Sequence, residues 1–147
     1  MKRFLEFWRL PPTDQRLLLK SVLLLGLITL GLRVLPFLTL QRLLYGASRI
    51  FVRLPQEHQP TGKKIAWAVH VAAQYIPTAA CLPQALTVQL LYRWQGYPAN
   101  LRIGVAKNEQ GQLEAHAWIE SQGKIVIGNM QDLARFTELP LLERQNV

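Results

Sequence analysis

The segment 81–128 changes its hydrophobic period once, and this change restricts the fold more than any other feature of the chain. Residues 81–95 are apolar at the spacing of a buried helix, with Pro83 in the first turn, where a missing N–H is harmless. Strand-like runs follow, separated by turns that contain Gly111 and Gly123, at 99–106, 113–120 and 124–128. A helix followed by strands that short turns connect predicts an α+β unit in which antiparallel strands pack on the helix.

The N-terminal part of the chain is predicted to be helical. One helix is expected from Thr13 or Asp14 to about Leu35, because Pro36 cannot continue it. Further helices are expected over 37–52 and 63–75.

The stretch PQEHQPTG, residues 55–62, is the predicted domain boundary, because Pro and Gly interrupt regular structure there. It divides the chain into a basic, leucine-rich helical extension, residues 1–55, and a core, residues 56–147.

Positive charge is concentrated in the N-terminal part. The net charge is +8, and residues 1–64 hold 11 Lys or Arg against three acidic residues, whereas residues 65–147 hold six of each sign. A basic, leucine-rich segment favours a membrane surface or an acidic protein partner. Nucleic acid is not expected as a partner, because the cations are not interleaved with aromatic residues and no binding motif is recognisable.

The first long helix is apolar but is bounded by cations. Its longest uncharged run, residues 21–32, is shorter than the roughly 18–20 residues needed to span a bilayer. A membrane-inserted helix would need Lys20 and Arg33 to extend toward the headgroups. The expectation is a cytoplasmic protein, peripheral at the inner membrane, in which residues 14–52 contact partners or the membrane surface.

The composition gives no sign of a metal or a cofactor. The single cysteine excludes an internal disulfide, and one Cys with three widely spaced His does not resemble a zinc site. No phosphate-binding glycine motif is present.

A histidine stands in the second predicted strand, where an apolar residue would pack better. If Gln122 and Gly123 form a two-residue turn, paired positions place Glu120 opposite Ile125, Trp118 opposite Ile127, and His116 opposite Asn129. The amide oxygen of Asn129 could then accept the ring N–H of His116 and set its tautomer.

Cys81 is the residue that such a histidine would serve. At the start of a helix, unpaired N–H groups and the helix dipole favour a thiolate and could stabilise an oxyanion. A cysteine, a histidine and a third orienting residue form the arrangement of papain-like chemistry. The alternative is that Cys81 is a small buried hydrophobic residue. Trp118, Glu120 and Gln84 are the candidates for the substrate cleft.

The segments CLPQAL, residues 81–86, and AHAWIE, residues 115–120, together with the Gly-Tyr-Pro turn, resemble the small transglutaminase-like proteases of lasso-peptide biosynthesis. Those proteins are the stand-alone peptidase halves of the split B protein, and the resemblance extends over about residues 15–142. It implies a cysteine protease that removes the leader from a ribosomally made precursor, with Cys81 as nucleophile and His116 as base. The superfamily usually has Asp as the third member; here the hairpin pairing favours Asn129 over Asp132.

The resemblance also implies partners. The precursor's leader peptide would be presented by a small leader-recognition protein, and an asparagine-synthetase-like cyclase would close the ring afterwards. Two other functions remain open from the sequence: another acyl transfer on the same fold, such as transglutamination or deamidation, and a non-catalytic membrane-associated scaffold.

Overall fold

The computed structural model describes residues 2–50, 61–129, 131 and 133–139, and within them helices precede a small sheet. The helices are α1 (Lys2–Arg9), α2 (Pro12–Val34), α3 (Phe37–Ile50), α4 (Gly62–Ala73) and α5 (Cys81–Trp94). The strands are β1 (Asn100–Lys107), β2 (Leu113–Ser121), β3 (Lys124–Ile127) and β4 (Thr137–Glu138), with a 3₁₀ turn at Leu133–Arg135. The sheet order is β3-β2-β1-β4 and every pairing is antiparallel. The predicted α+β class is confirmed.

The helix ends follow from local chemistry. Pro12 opens α2, where its missing N–H is not needed, and Pro36 follows the end of that helix. Thr61 caps α4 because its hydroxyl accepts a hydrogen bond from the Lys64 amide, at 3.2 Å. The predicted boundaries are within about two residues of those observed, whereas α1 lies in a stretch for which no helix was predicted.

The main core lies between the helices and one face of the sheet. Helix α5 is buried along most of its length and contacts α2, α4, β1 and β2. Leu101, Ala117 and Ile119 cover it from the sheet side, while Ile65 and Val69 of α4 cover it from the helix side. A second cluster, around Leu18, Leu25 and Ala72, joins α2 to α4. The first residue of α5 is thereby held against a fixed sheet.

The N-terminal helices contribute to this core. Leu17 and Ile28 of α2 and Leu40 of α3 are buried in the main cluster, and Trp94 donates a hydrogen bond to the Ala47 carbonyl, at 3.0 Å. The predicted division near residue 55 stays a prediction, because residues 51–60 lie outside the described ones.

Helix α2 is continuous over 23 residues and is long and apolar enough to cross a membrane. The uncharged run of residues 21–32 therefore underestimates the apolar length of this helix. A helix of this size extends over about 34 Å and allows its cations to lie near the ends. One third of its most apolar window is buried inside the fold.

Candidate active site

Cys81 is the first residue of α5 and is half-buried. It follows Ala80, which has extended backbone angles and supplies no side-chain cap. The earliest helical amide bond runs from Gln84 N to the Ala80 carbonyl, so the amides of Cys81 and Leu82 have no acceptor within the helix. The sulfur thus lies beside two N–H groups that can donate to a negatively charged atom.

His116 lies in the middle of β2, and its ring is held across the hairpin. Its Nε2 lies 2.5 Å from the carbonyl oxygen of Gly128. A carbonyl only accepts, so Nε2 carries the proton in this hydrogen bond, and in the neutral ring Nδ1 is the nitrogen with the lone pair. The carbonyl of Gly128 therefore sets the tautomer of the ring, the role that the predicted pairing gives to the Asn129 amide.

A β-bulge in β3 moves Asn129 away from the predicted position opposite His116. Glu120 pairs with Ile125 as predicted, but Ile119 then pairs with Ile127, so the predicted pairing of Trp118 with Ile127 is wrong. The extra residue shifts the rest of β3 by one position, and the strand ends at Ile127.

The shift also changes the neighbours of His116. Asn129 lies beyond the strand and is exposed, so it is not the cross-strand partner of His116. Its assignment as third catalytic member stays a prediction. The alternative third member, Asp132, lies outside the described residues.

Two aromatic rings position the other side of His116. The Trp118 ring stacks with it at a centroid distance of 6.2 Å and an angle of 20°, and the Phe136 ring lies at 5.7 Å. Gly104, which pairs with His116 on β1, leaves room for this group, because a Cβ there would meet Phe136 Cβ at 2.9 Å and the Trp118 ring at 3.1 Å. The sequence did not indicate either residue as part of the site: the pairing of β1 with β2 brings Gly104 to His116, and the pairing of β4 with β1 brings Phe136 there.

The predicted cleft residues have structural partners. Trp118 is buried and donates from Nε1 to the Glu120 carboxylate, at 3.2 Å. Glu120 and Glu138 flank Arg102, with ion-pair distances of 3.6 Å and 3.1 Å. Gln84 donates to the Ala79 carbonyl, at 2.9 Å. These bonds hold the residues in place around the candidate site, and their role as cleft residues stays a prediction.

The two candidate catalytic residues lie on elements that contact each other, α5 and β2. Ala117 and Ile119 cover the α5 core, whereas His116 shares the alternate face of the strand with Trp118. Within the described residues, no hydrogen bond joins the Cys81 thiol to His116. The structure thus fixes the orientation of the candidate base and leaves two amides beside the candidate nucleophile without an acceptor in the helix.

Two further features of the described residues bear on ligands. They contain no group of three or more His, Cys, Asp and Glu side chains that could hold a metal ion. A cleft of about 470 Å³ opens at the β1–β2 turn, on the side of Glu114, two residues before His116. Neither candidate catalytic side chain lines it.

A family model described as the transglutaminase-like superfamily matches residues 24–140. The chain belongs to the transglutaminase-like superfamily. No curated protein and no solved structure matches it significantly. The superfamily match includes Cys81, His116 and Asn129, together with the C-terminal part of α2 and all of α3. The matched residues include α5, which begins with Cys81, and the antiparallel sheet on which it packs.

Proposed function

We propose that this transglutaminase-like protein is a cysteine peptidase that removes the leader from a ribosomally made lasso-peptide precursor. The observation that supports it most is the Nε2 bond of His116 to Gly128, because it sets the tautomer that a general base needs. The half-buried thiol of Cys81 at the start of α5 supplies the nucleophile. The likeness of CLPQAL and AHAWIE to the lasso-peptide proteases supports the choice of substrate.

The proposed reaction assigns one task to each group. Nδ1 of His116 takes the thiol proton of Cys81, and the sulfur attacks the scissile carbonyl. The amides of Cys81 and Leu82 donate to the oxyanion. The imidazolium then gives its proton to the departing amine, and water, deprotonated by His116, hydrolyses the thioester. The neighbouring rings of Trp118 and Phe136 keep the imidazole in one orientation through these steps.

The partners follow from the same proposal. The likeness to the stand-alone lasso-peptide proteases implies that a separate leader-recognition protein presents the precursor. The amine released by cleavage would be the substrate of the cyclase. The same thioester, attacked by an amine instead of water, would give transglutamination, so the identity of the product separates the two activities.

The test is cleavage of a precursor peptide in the presence of a leader-recognition protein, followed by mass spectrometry. Replacing Cys81 by Ala should abolish formation of the leader fragment. His116→Ala should be similarly severe, because when catalytic residues act together, removing any one of them costs most of the rate. His70→Ala is the matched control, since His70 is exposed on α4. Cleavage that survives in the Cys81→Ala protein would refute the proposal, and an amine adduct instead of two fragments would identify acyl transfer.

Thiol alkylation tests whether Cys81 and His116 act together. Iodoacetamide should modify Cys81 in the native protein at neutral pH, and His116→Ala should slow that reaction, because the thiol loses its proton acceptor. The His70→Ala protein should react at the wild-type rate. Equal alkylation rates in all three proteins would show that His116 does not activate Cys81.

A further inference from the structure

Helix α2 exposes a continuous apolar stripe, here named the α2 stripe, in which each side chain is between 55% and 72% exposed: Leu19, Leu23, Leu27, Leu30 and Val34. The spacing of three and four residues places all of them on one side of the helix. The stripe is about 22 Å long at the rise of an α-helix. An apolar surface of this length on a basic protein indicates a contact with something apolar.

The other side of α2 is buried against the rest of the protein. Leu18 and Leu25 pack against α4, and Ile28 is buried in the main core. Ser21 and Thr29 are buried too, and each donates its hydroxyl proton to a carbonyl of the same helix. To span a bilayer, α2 would have to leave α4 and α5 and expose the apolar surface that they cover. The α2 stripe is therefore suited to a contact made while the helix stays in place.

Exposed cations accompany the α2 stripe. Arg16 lies one turn before Leu19, and Arg33 lies beside Val34, so an arginine stands at each end. Arg9, Arg42 and Arg49 are exposed on the adjoining helices. Residues 5–49 contain two acidic residues, Glu6 and Asp14. Glu6 is exposed, whereas Asp14 is half-buried and forms an ion pair with Lys64, at 2.6 Å. The contacted surface should therefore be negatively charged as well as apolar.

This charge pattern argues against a second copy of the chain. Two α2 stripes packed antiparallel would place Arg16 opposite Arg33, and two packed parallel would place each arginine opposite itself. Both arrangements bring like charges together at both ends of an apolar contact. A bilayer of anionic phospholipids instead offers acyl chains to the leucines and phosphates to the arginines in one surface.

We propose that the α2 stripe docks on the surface of an anionic phospholipid bilayer, with α2 parallel to the membrane plane. Helix α1 brings further exposed apolar side chains close to the start of α2. Gln15 of α2 donates to the carbonyls of Phe7 and Leu10, both at 3.1 Å, and so ties α1 to the start of α2. Trp8 and Leu5 are exposed there, at 63% and 61%, and tryptophan is enriched at the headgroup level of membranes. This proposal does not depend on the peptidase activity.

The test is sedimentation of the full chain with vesicles of phosphatidylcholine, with and without phosphatidylglycerol. We expect binding to the vesicles that contain phosphatidylglycerol and weaker binding at high salt. Leu23→Gln and Leu27→Gln should each weaken that binding roughly tenfold, because each removes an acyl-chain contact while leaving helix propensity nearly unchanged. Leu113→Gln is the matched control, since Leu113 is 72% exposed at the start of β2.

A second pair of variants tests the charges. Arg16→Gln combined with Arg33→Gln should weaken binding to anionic vesicles, whereas Lys107→Gln combined with Lys124→Gln, exposed residues of the sheet, should not. Circular dichroism should show the wild-type helix content in every variant.

Three results would overturn the proposal. The first is a wild-type protein that does not sediment with anionic vesicles. That result is expected if the α2 stripe binds a protein partner instead of a membrane. The second is a stable dimer in light scattering that Leu23→Gln converts to monomer, which would make a second copy the occupant. The third is retention in the membrane after alkaline carbonate extraction, which would show that α2 spans it.

Discussion

The Nε2 atom of His116 and the carbonyl oxygen of Gly128 lie 2.5 Å apart across the β2–β3 hairpin. The acceptor belongs to the backbone, so no side-chain substitution at residue 128 removes it. Its position instead depends on the unusual φ of Gly128, +86°, and on the bulge that precedes it. The orientation of the candidate base is thus a property of the hairpin backbone.

We expect Gly128→Ala to destabilise the protein. A residue other than Gly at this φ costs about 1–3 kcal/mol, and a Cβ would also meet the Ala117 carbonyl oxygen at 2.6 Å and Trp118 Cβ at 2.8 Å. Gly123→Ala is the control in the same hairpin, because its φ is +79° but no atom lies within 4 Å of the added Cβ. Urea unfolding should show the larger loss for Gly128→Ala; equal losses would mean that the hairpin relaxes without cost.

Asn129→Ala should lower the cleavage rate by less than about tenfold, well below the roughly 10⁴-fold loss that follows when a histidine takes the wrong tautomer. The reason is that the Gly128 carbonyl, which the substitution leaves in place, accepts from Nε2 of His116. The measurement is the initial rate of leader release, compared with the wild type and with His116→Ala. A loss as severe as that of His116→Ala would show that the Asn129 side chain orients the ring during the reaction.

Two leucines of α2 should differ sharply when replaced by alanine. Leu25 is fully buried and Leu23 is 67% exposed, two residues apart in the same helix. Leu25→Ala should lower the free energy of unfolding by about 2–5 kcal/mol, while Leu23→Ala should change it by less than about 0.5 kcal/mol. Both substitutions change helix propensity equally, so the difference between their losses of unfolding free energy, measured in denaturant, reports the packing of Leu25. Small and equal effects would show that α2 is not part of the folded core.

Tyr92 should make the protein less stable in alkali. Burial raises the pKa of its hydroxyl above the ordinary value of 10.0, and the nearby Tyr97 adds to this by charge repulsion. Because the folded-state pKa is the higher one, the stabilisation is complete below pH 10.0 and is lost as the pH rises through the folded-state pKa. Tyr92→Phe should therefore flatten the decline of unfolding free energy as the pH rises above 10.0.

The control for Tyr92→Phe is Tyr75→Phe, since Tyr75 is 47% exposed. It should leave the pH profile of stability parallel to that of the wild type. If both variants decline as the wild type does, the buried hydroxyl of Tyr92 does not ionise in this range.

Local chemistry was enough to predict the helices from Pro12 onward, the β1–β3 meander and the position of Cys81 at a helix start. These features depend on neighbouring residues alone: hydrophobic period, prolines at helix ends, and glycines in turns. The first two cross-strand pairs of the β2–β3 hairpin, next to its turn, follow from the same local rule.

The environment of His116 was decided by contacts between residues distant in the chain. Turn length sets a strand register only until a bulge inserts an extra residue. Between Ile119 and Glu120 the pairing shifts by one residue, so Asn129 is not opposite His116, and the imidazole bonds instead to the backbone carbonyl of Gly128. Phe136 reaches the ring because β4 adds to the free edge of β1, a pairing that no local pattern indicates.

The two faces of α2 were also decided by the tertiary structure. Leucines surround most of this helix, so the sequence predicts a helix without indicating which side is buried. Packing against α4 and α5 buries Leu18, Leu25 and Ile28 and leaves the α2 stripe exposed. The sequence determined that apolar surface would be in surplus, and only the packing of the helices decided where on the molecule that surplus lies.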